Sequence, residues 1–278
     1  NNEVEPKDGY DVISTIDVNI QDIAHHALLK QLEDFEAEHG TVIVMETATG
    51  EIKAMSNLGR TDEGTYYEKR NYAVYEAHEP GSTFKLMAMV AGLEDGVIDT
   101  NQVVDTENGV VRFYGRAVRD SHHGGYGKIS AARAFEVSSN TAFTKMITQG
   151  YKNNPEKFVD RLDDMGVTRK IGLEIKGEGT PRIPHPDDKG WNGLSLPWMA
   201  FGYGVAITPL QTLAFYNAIA NDGEMVKPRF IKEVKEWDKT IVKMDREVIN
   251  PAICSPETAK KVREMMKNTV KRGTAANI

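Results

Sequence analysis

The sequence predicts an α+β fold, and three stretches carry that expectation. Ile20, Ile23, Ala24, Ala27, Leu28, Leu32 and Phe35 recur at helical spacing, which lays an apolar stripe along one face. "TVIVMETATGEIKAMSN", residues 41 to 57, is rich in β-branched side chains on either side of Ala48-Thr49-Gly50. It predicts a β-hairpin whose turn glycine is free to take positive φ. "TPLQTLAFYNAIANDG", residues 208 to 223, has the punctuation of a helix, with Thr208 as cap, Pro209 at the first position and Gly223 past the end.

The remaining elements follow in order. "GYDVISTID" alternates like a short strand, and the first helix is expected to run until Gly40. "GRTDEGTYYEKRNYAVYEAHEPG" reads as a polar connection into a helix from Ser82 to Asp95, with Gly96 beyond its end. "DTENGVVRFYGRAVRDSHHGGYG" has many turn residues and predicts a loop-rich excursion with a short hairpin. Helices resume near Ser130 and again in "PEKFVDRLDDMG". "RFIKEVKE" and "TIVKMD" read as strands, and Ser255-Pro256 opens the last helix. No internal repeat or low-complexity segment is present.

Bulk properties narrow the function. A hydrophobic content of 40% over 278 residues suits a globular core, and a net charge of -7 without a long basic run argues against a nucleic-acid surface. Cys254 is the single cysteine, so neither a disulfide framework, a thiolate metal cluster nor a Cys-x-x-Cys redox pair is available within the chain. No apolar run reaches the length of a membrane span, and "NNEVEPKDGY" lacks the features of a leader. The start without Met and the end just past a strong helix suggest a piece of a longer chain.

Two short motifs can carry chemistry. In "EPGSTFK", Lys85 follows Ser82 by one helical turn, close enough to reach its hydroxyl. A serine alcohol needs a base beside it. A lysine can be that base when burial and the positive end of a helix lower its pKa. The same helix start would offer N–H groups to a developing oxyanion. In "FEVSSNTAFTK", Ser138-Ser139-Asn140 interrupts two helical stretches and could aim a hydroxyl and an amide into one cavity. Residue types alone leave ordinary helix capping, beside a solvated lysine, as the alternative for both.

Taken together, Ser82-Thr83-Phe84-Lys85 and Ser138-Ser139-Asn140 resemble the first two active-site motifs of penicillin-binding proteins and serine β-lactamases. "ISTIDVNIQDIAHHAL", "GTVIVMETATGEIKAM", "EPGSTFK", "VSSNTAF", "FGYGVAITPLQTLAFYNAIANDGEMVKPRFI" and "VKRGTAANI" are similar, in this order, to the transpeptidase domain of class B penicillin-binding proteins. "FGYGVAITPLQ" is closer to the cell-division type. The resemblance implies a transpeptidase fold with an antiparallel sheet flanked by helices, spanning residues 1 to 278 as one domain. It implies a peptidoglycan D,D-transpeptidase with Ser82 as nucleophile, Lys85 as its base, Ser138 as proton relay and Asn140 holding the substrate amide. It also implies stem peptides and β-lactams as ligands, a membrane glycosyltransferase and other division proteins as partners, and no cofactor or metal. The location would be the extracytoplasmic face of a bacterial inner membrane, with an anchor and an upstream domain outside this chain.

The family's third motif, a Lys-Thr-Gly strand, is not matched. Lys271-Arg272-Gly273-Thr274 ends a helix and has no β-branched run around it, so the motif and its neighbouring strands are expected beyond Ile278, with the hairpin left at an exposed edge. A β-lactamase would need a water-activating Glu-x-x-Leu-Asn segment, which is absent. A D,D-carboxypeptidase and a non-catalytic penicillin sensor or scaffold remain as alternatives.

Other features read as structural. His25-His26 and His122-His123 lack metal-ligand spacing, and the first pair is expected on a solvated helix face. Asp120 through Tyr126 reads as a glycine-rich surface loop that could also line a cleft. Gly202-Tyr203-Gly204 gets no nucleotide role. Met87 and Met89 read as core, and Trp191 and Trp198 as packing a loop.

Overall fold

The computed structural model describes residues 9 to 277. Asn1 to Asp8, most of the stretch that lacks leader features, and Ile278 lie outside the described residues. Strand β1 (Asp11–Ser14) precedes helix α1 (Val18–Phe35), which Asp17 caps by accepting from the N–H groups of Asn19 and Ile20. The helix ends short of Gly40, with Glu36 taking the left-handed conformation at φ 48. Gly40 has a different task in β2 (His39–Met45), because a Cβ there would come within 2.9 Å of Leu32 and push the strand off α1.

Strand β2 and β3 (Ile52–Arg60) form the expected hairpin, and β4 (Tyr66–Glu68) adds a third antiparallel strand from within the polar connection. Successive β3 side chains serve opposite faces. Ser56 shares a hydrogen bond with His25 of α1, which is therefore half-buried, while Asn57 accepts from the Ala73 N–H of α2 (Tyr72–Tyr75). Helices thus flank the sheet on both sides. Among the described residues no strand pairs with the outer edge of β2.

A 3-10 turn (Gly81–Phe84) leads into α3 (Lys85–Glu94). The loop-rich excursion holds two small antiparallel pairs: β5 (Val103–Asp105) with β8 (Lys128–Ser130), and the hairpin of β6 (Val110–Phe113) and β7 (Arg116–Arg119). Helices α4 (Ala131–Glu136), α5 (Asn140–Tyr151) and α6 (Glu156–Asp164) follow, then α7 (Ser195–Met199), which takes Trp198 out of the expected loop. Thr208 and Gln211 close a capping box at the start of α8 (Pro209–Ala220). Strands β9 (Met225–Val226), β10 (Ile231–Glu236), β11 (Lys239–Lys243) and β12 (Val248–Asn250) precede α9 (Pro256–Arg272), capped by Ser255. β1, β10 and β11 form a second antiparallel sheet.

The core is built around α3. Leu86 through Gly92 are all buried, and a helix that is apolar all round belongs in an interior. α4, α5, α6 and α9 pack against it. The first residue of this central helix is Lys85, so the fold carries an amine to the inner end of a surface turn.

Candidate active site

The expected helix from Ser82 is broken into two, because the chain before Lys85 is pulled into a 3-10 turn. Ser82 is exposed, and among the described residues its hydroxyl caps no backbone N–H and has one side-chain partner, Lys85, whose Nζ lies 3.0 Å from Ser82 Oγ. Three contacts fix the turn. Gly81 N–H donates to the Gly202 carbonyl at 3.1 Å, the Tyr216 hydroxyl donates to the Thr83 carbonyl at 3.0 Å, and the Thr83 hydroxyl donates to the Pro80 carbonyl at 2.8 Å. Gly202 sits at φ +88, and a Cβ there would stand 1.9 Å from the Gly81 oxygen. The stretch "FGYG" is therefore a backbone buttress under Ser82.

Lys85 is 2% exposed and gathers the second motif. Its Nζ lies 2.7 Å from the Ser138 carbonyl, 2.8 Å from Ser138 Oγ and 2.6 Å from Asn140 Oδ1. The three residues of the motif divide the work. Ser139 caps α5 by accepting from the Ala142 N–H at 3.1 Å, as plain capping would have it, while the two outer residues turn to the amine. Ser138 does so from the left-handed region at φ 55, a conformation that costs a non-glycine residue about 1 kcal/mol or more and persists where the surroundings enforce it. Asn140 Nδ2 donates to the Arg119 carbonyl at 2.8 Å, which sets the amide with its oxygen towards Lys85.

The four oxygens around Nζ can accept from an ammonium, and they leave room for the free base as well. A neutral amine has two hydrogens and one lone pair. The Ser138 carbonyl and Asn140 Oδ1 can only accept, and they take both hydrogens; the lone pair is left for a hydroxyl of Ser82 or Ser138. Burial pushes Lys85 down to about 7, against an opposing pull from the Asp120 carboxylate. Free base is then available near neutral pH.

Asp120 is the contribution that sequence reading left inside a loop. Its carboxylate accepts from Ser139 Oγ at 3.1 Å, from the Thr141 N–H at 2.9 Å and from Thr141 Oγ1 at 2.8 Å. It pins the first turn of α5, an anion at a helix N-terminus. The rest of "DSHHGGYG" is a loop in which Gly125 packs on Gly109 and His122 stacks on Tyr126. Lys271 and Arg272 lie in the last turn of α9, not on a strand. Arg272 clasps the buried Glu136 with bonds of 2.9 and 3.1 Å, and Thr274 N–H donates to the Glu136 carbonyl at 3.1 Å. That latch sits two residues before Ser138. Among the described residues no cluster of His, Cys, Asp and Glu could hold a metal ion, and no helix is long and apolar enough to cross a membrane.

Residues 40–278 match the family described as the penicillin binding protein transpeptidase domain. Stage V sporulation protein D of Bacillus subtilis is 28% identical over 279 residues, covering 98% of this chain and 42% of that protein. Penicillin-binding protein PbpB of Mycolicibacterium smegmatis is 31% identical, with the same two coverages of 98% and 42%. The chain thus spans about two fifths of the length of these curated relatives. The crystal structure of penicillin binding protein 3 from Mycobacterium tuberculosis complexed with aztreonam superposes with a TM-score of 0.81 at 28% identity, over 98% of this chain and 60% of that one.

Proposed function

The chain belongs to the penicillin-binding protein transpeptidase domain family, and from that premise we propose that it catalyses acyl transfer in a peptidoglycan D,D-transpeptidase. The observation that carries the reading is a buried amine, depressed to about 7, at 3.0 Å from an exposed serine hydroxyl. Lys85 as free base takes the Ser82 proton while Oγ attacks the penultimate D-Ala carbonyl of a stem peptide. The C–N bond breaks, and the terminal D-Ala leaves as an amine that receives its proton from Lys85 through the Ser138 hydroxyl. An amine of a neighbouring stem peptide then attacks the Ser82 ester and gives a proton to Lys85, which passes it to the departing Ser82 Oγ, so that the amide cross-link forms and both the serine and the free base are restored. Asn140 keeps one Nδ2 hydrogen beyond its bond to Arg119, and that hydrogen holds the substrate amide. β-Lactams acylate Ser82 and stay there.

We also propose, on the resemblance of its motifs to the cell-division type, that the whole protein works in septal wall synthesis on the extracytoplasmic face of a bacterial inner membrane, beside a membrane glycosyltransferase and other division proteins. We further propose that a Lys-Thr-Gly strand outside residues 1 to 278 completes the domain, a reading supported by the unpaired outer edge of β2.

Fluorescent penicillin tests the acyl-enzyme. It is expected to label the wild type and to leave Ser82→Ala dark; undiminished labelling of that variant removes Ser82 from the role. Product analysis with and without an acceptor amine separates transfer from hydrolysis, since a carboxypeptidase forms no cross-linked product.

A further inference from the structure

A cleft of about 360 Å³ lies between the β6–β7 hairpin and α7, lined by Arg116, Asn192, Leu194, Ser195 and Trp198. Its chemistry is one-sided. Arg116 is a fork of donors, Trp198 brings a donor-only indole, and no carboxylate lines the cleft, in a chain with 41 acidic residues against 34 basic ones. Asn192 is held by its own turn, its Nδ2 donating to the Gly190 carbonyl and its Oδ1 accepting from the Leu194 N–H, which leaves one Nδ2 hydrogen as a further donor. Ser195 Oγ accepts from the Asn192 N–H at 3.0 Å and keeps its hydrogen to give.

Arg116 is exposed and forms no ion pair among the described residues, so its guanidinium is open to a ligand. In the hairpin register Arg116 pairs with Phe113 and Val118 with Val111, so these four share one face. Val111 and Val118 are buried on that face, and Arg112 and Arg119 lie on the other. At the tip, Tyr114 lies across Gly193, where a Cβ would meet its ring at 2.3 Å, which ties the hairpin to the loop before α7.

Both walls run to the catalytic cluster. Three residues on from Arg116, roughly 10 Å along the strand, the Arg119 carbonyl accepts from Asn140 at 2.8 Å. On the other wall Trp198 meets Phe201 at 6.1 Å between ring centroids, and the adjoining Gly202 rests on Gly81.

We propose that this cleft is the subsite for an anionic segment of the donor peptide, with Arg116 pairing a carboxylate that the stem peptide carries upstream of its D-alanyl-D-alanine end and Trp198 covering the hydrocarbon beside it. The proposal rests on the acyl-transfer reading above and deepens it. The test uses the whole protein and two D-alanyl-D-alanine peptides that differ only in one upstream side chain, a free carboxylate or its amide. Arg116→Ala is expected to lower kcat/KM for the carboxylate peptide about tenfold, the lower end of what a charge-assisted bond is worth, mainly through KM, and to leave the amide unchanged. Arg116→Lys, which keeps the charge and loses the fork, is expected to recover part of the loss. No fall on the carboxylate peptide, or an equal fall on both, overturns the proposal. Failure of the underlying reading shows elsewhere, as a wild-type protein that penicillin does not label at Ser82.

Discussion

Lys85 sets the pH at which the proposed reaction can run. With its pKa brought to about 7 by burial, the amine is ammonium below that pH and free base above it, so the rate of acylation by penicillin should climb through neutrality and level off. The Asp120 carboxylate favours the ammonium form, so removing its charge moves the midpoint down. Asp120→Asn is expected to shift the acid limb of the acylation profile to lower pH while lowering the plateau several-fold, because Asn keeps one acceptor oxygen for the Thr141 N–H but presents an NH2 donor where the second carboxylate oxygen accepts from the Thr141 hydroxyl, which loosens the first turn of α5. Stopped-flow acylation between pH 5.5 and 9 reads both effects. An unchanged midpoint would confine Asp120 to packing. At this scale the approach of Lys85 to Ser82 was legible from helical spacing, while the proposed roles of these two, as of Ser138 and Asn140, came from the resemblance of both motifs to a family's. Asp120 was not, since its partners lie across a turn-rich loop whose path no local periodicity encodes.

Elements decide where those side chains end up, and the glycines show how. Two glycines of "FGYG" are both left-handed, at φ +88 for Gly202 and +72 for Gly204, yet a Cβ on Gly204 meets nothing within 4 Å while one on Gly202 strikes Gly81. Gly204→Ala therefore pays the backbone cost alone, about 1 kcal/mol. Gly202→Ala must also displace the turn that carries Ser82, so it should lower penicillin acylation by more than tenfold and destabilise by about 2 kcal/mol or more. Equal effects of the two substitutions on acylation would remove Gly202 from its supporting role. The sequence marks both glycines equally. Caps, breaks and hairpins were readable for α8, α9 and the β2–β3 pair because the signals are local. The early end of α1 and the 3-10 turn before Lys85 were not, because each is imposed by contacts with a distant segment, α1 against β2 and Gly81 against Gly202.

For the whole molecule the buried amine is a thermodynamic burden as well as a reactive group. An unfolded lysine keeps its ordinary pKa near 10.5, whereas Lys85 in the fold titrates at about 7. Between those values the unfolded chain binds a proton that the folded chain does not, so stability falls as pH falls through the window, by about 1.4 kcal/mol per pH unit from this group. Below about 7 both states are protonated and the loss is complete. Lys85→Met removes the titration and keeps a long apolar stem at the head of α3, where Phe84 and Leu86 are fully buried. The lost hydrogen bonds to Ser138 and Asn140 cost the same at every pH in the window, so they move the variant's melting curve without tilting it. The Tm of Lys85→Met minus that of the wild type should thus be greater at pH 7.5 than at pH 9.5, by several degrees at roughly 2 to 4 °C per kcal/mol, while penicillin labelling is abolished. A Tm difference independent of pH would mean that Lys85 keeps an ordinary pKa in the fold, and the free base required beside Ser82 at neutral pH would lose its physical source.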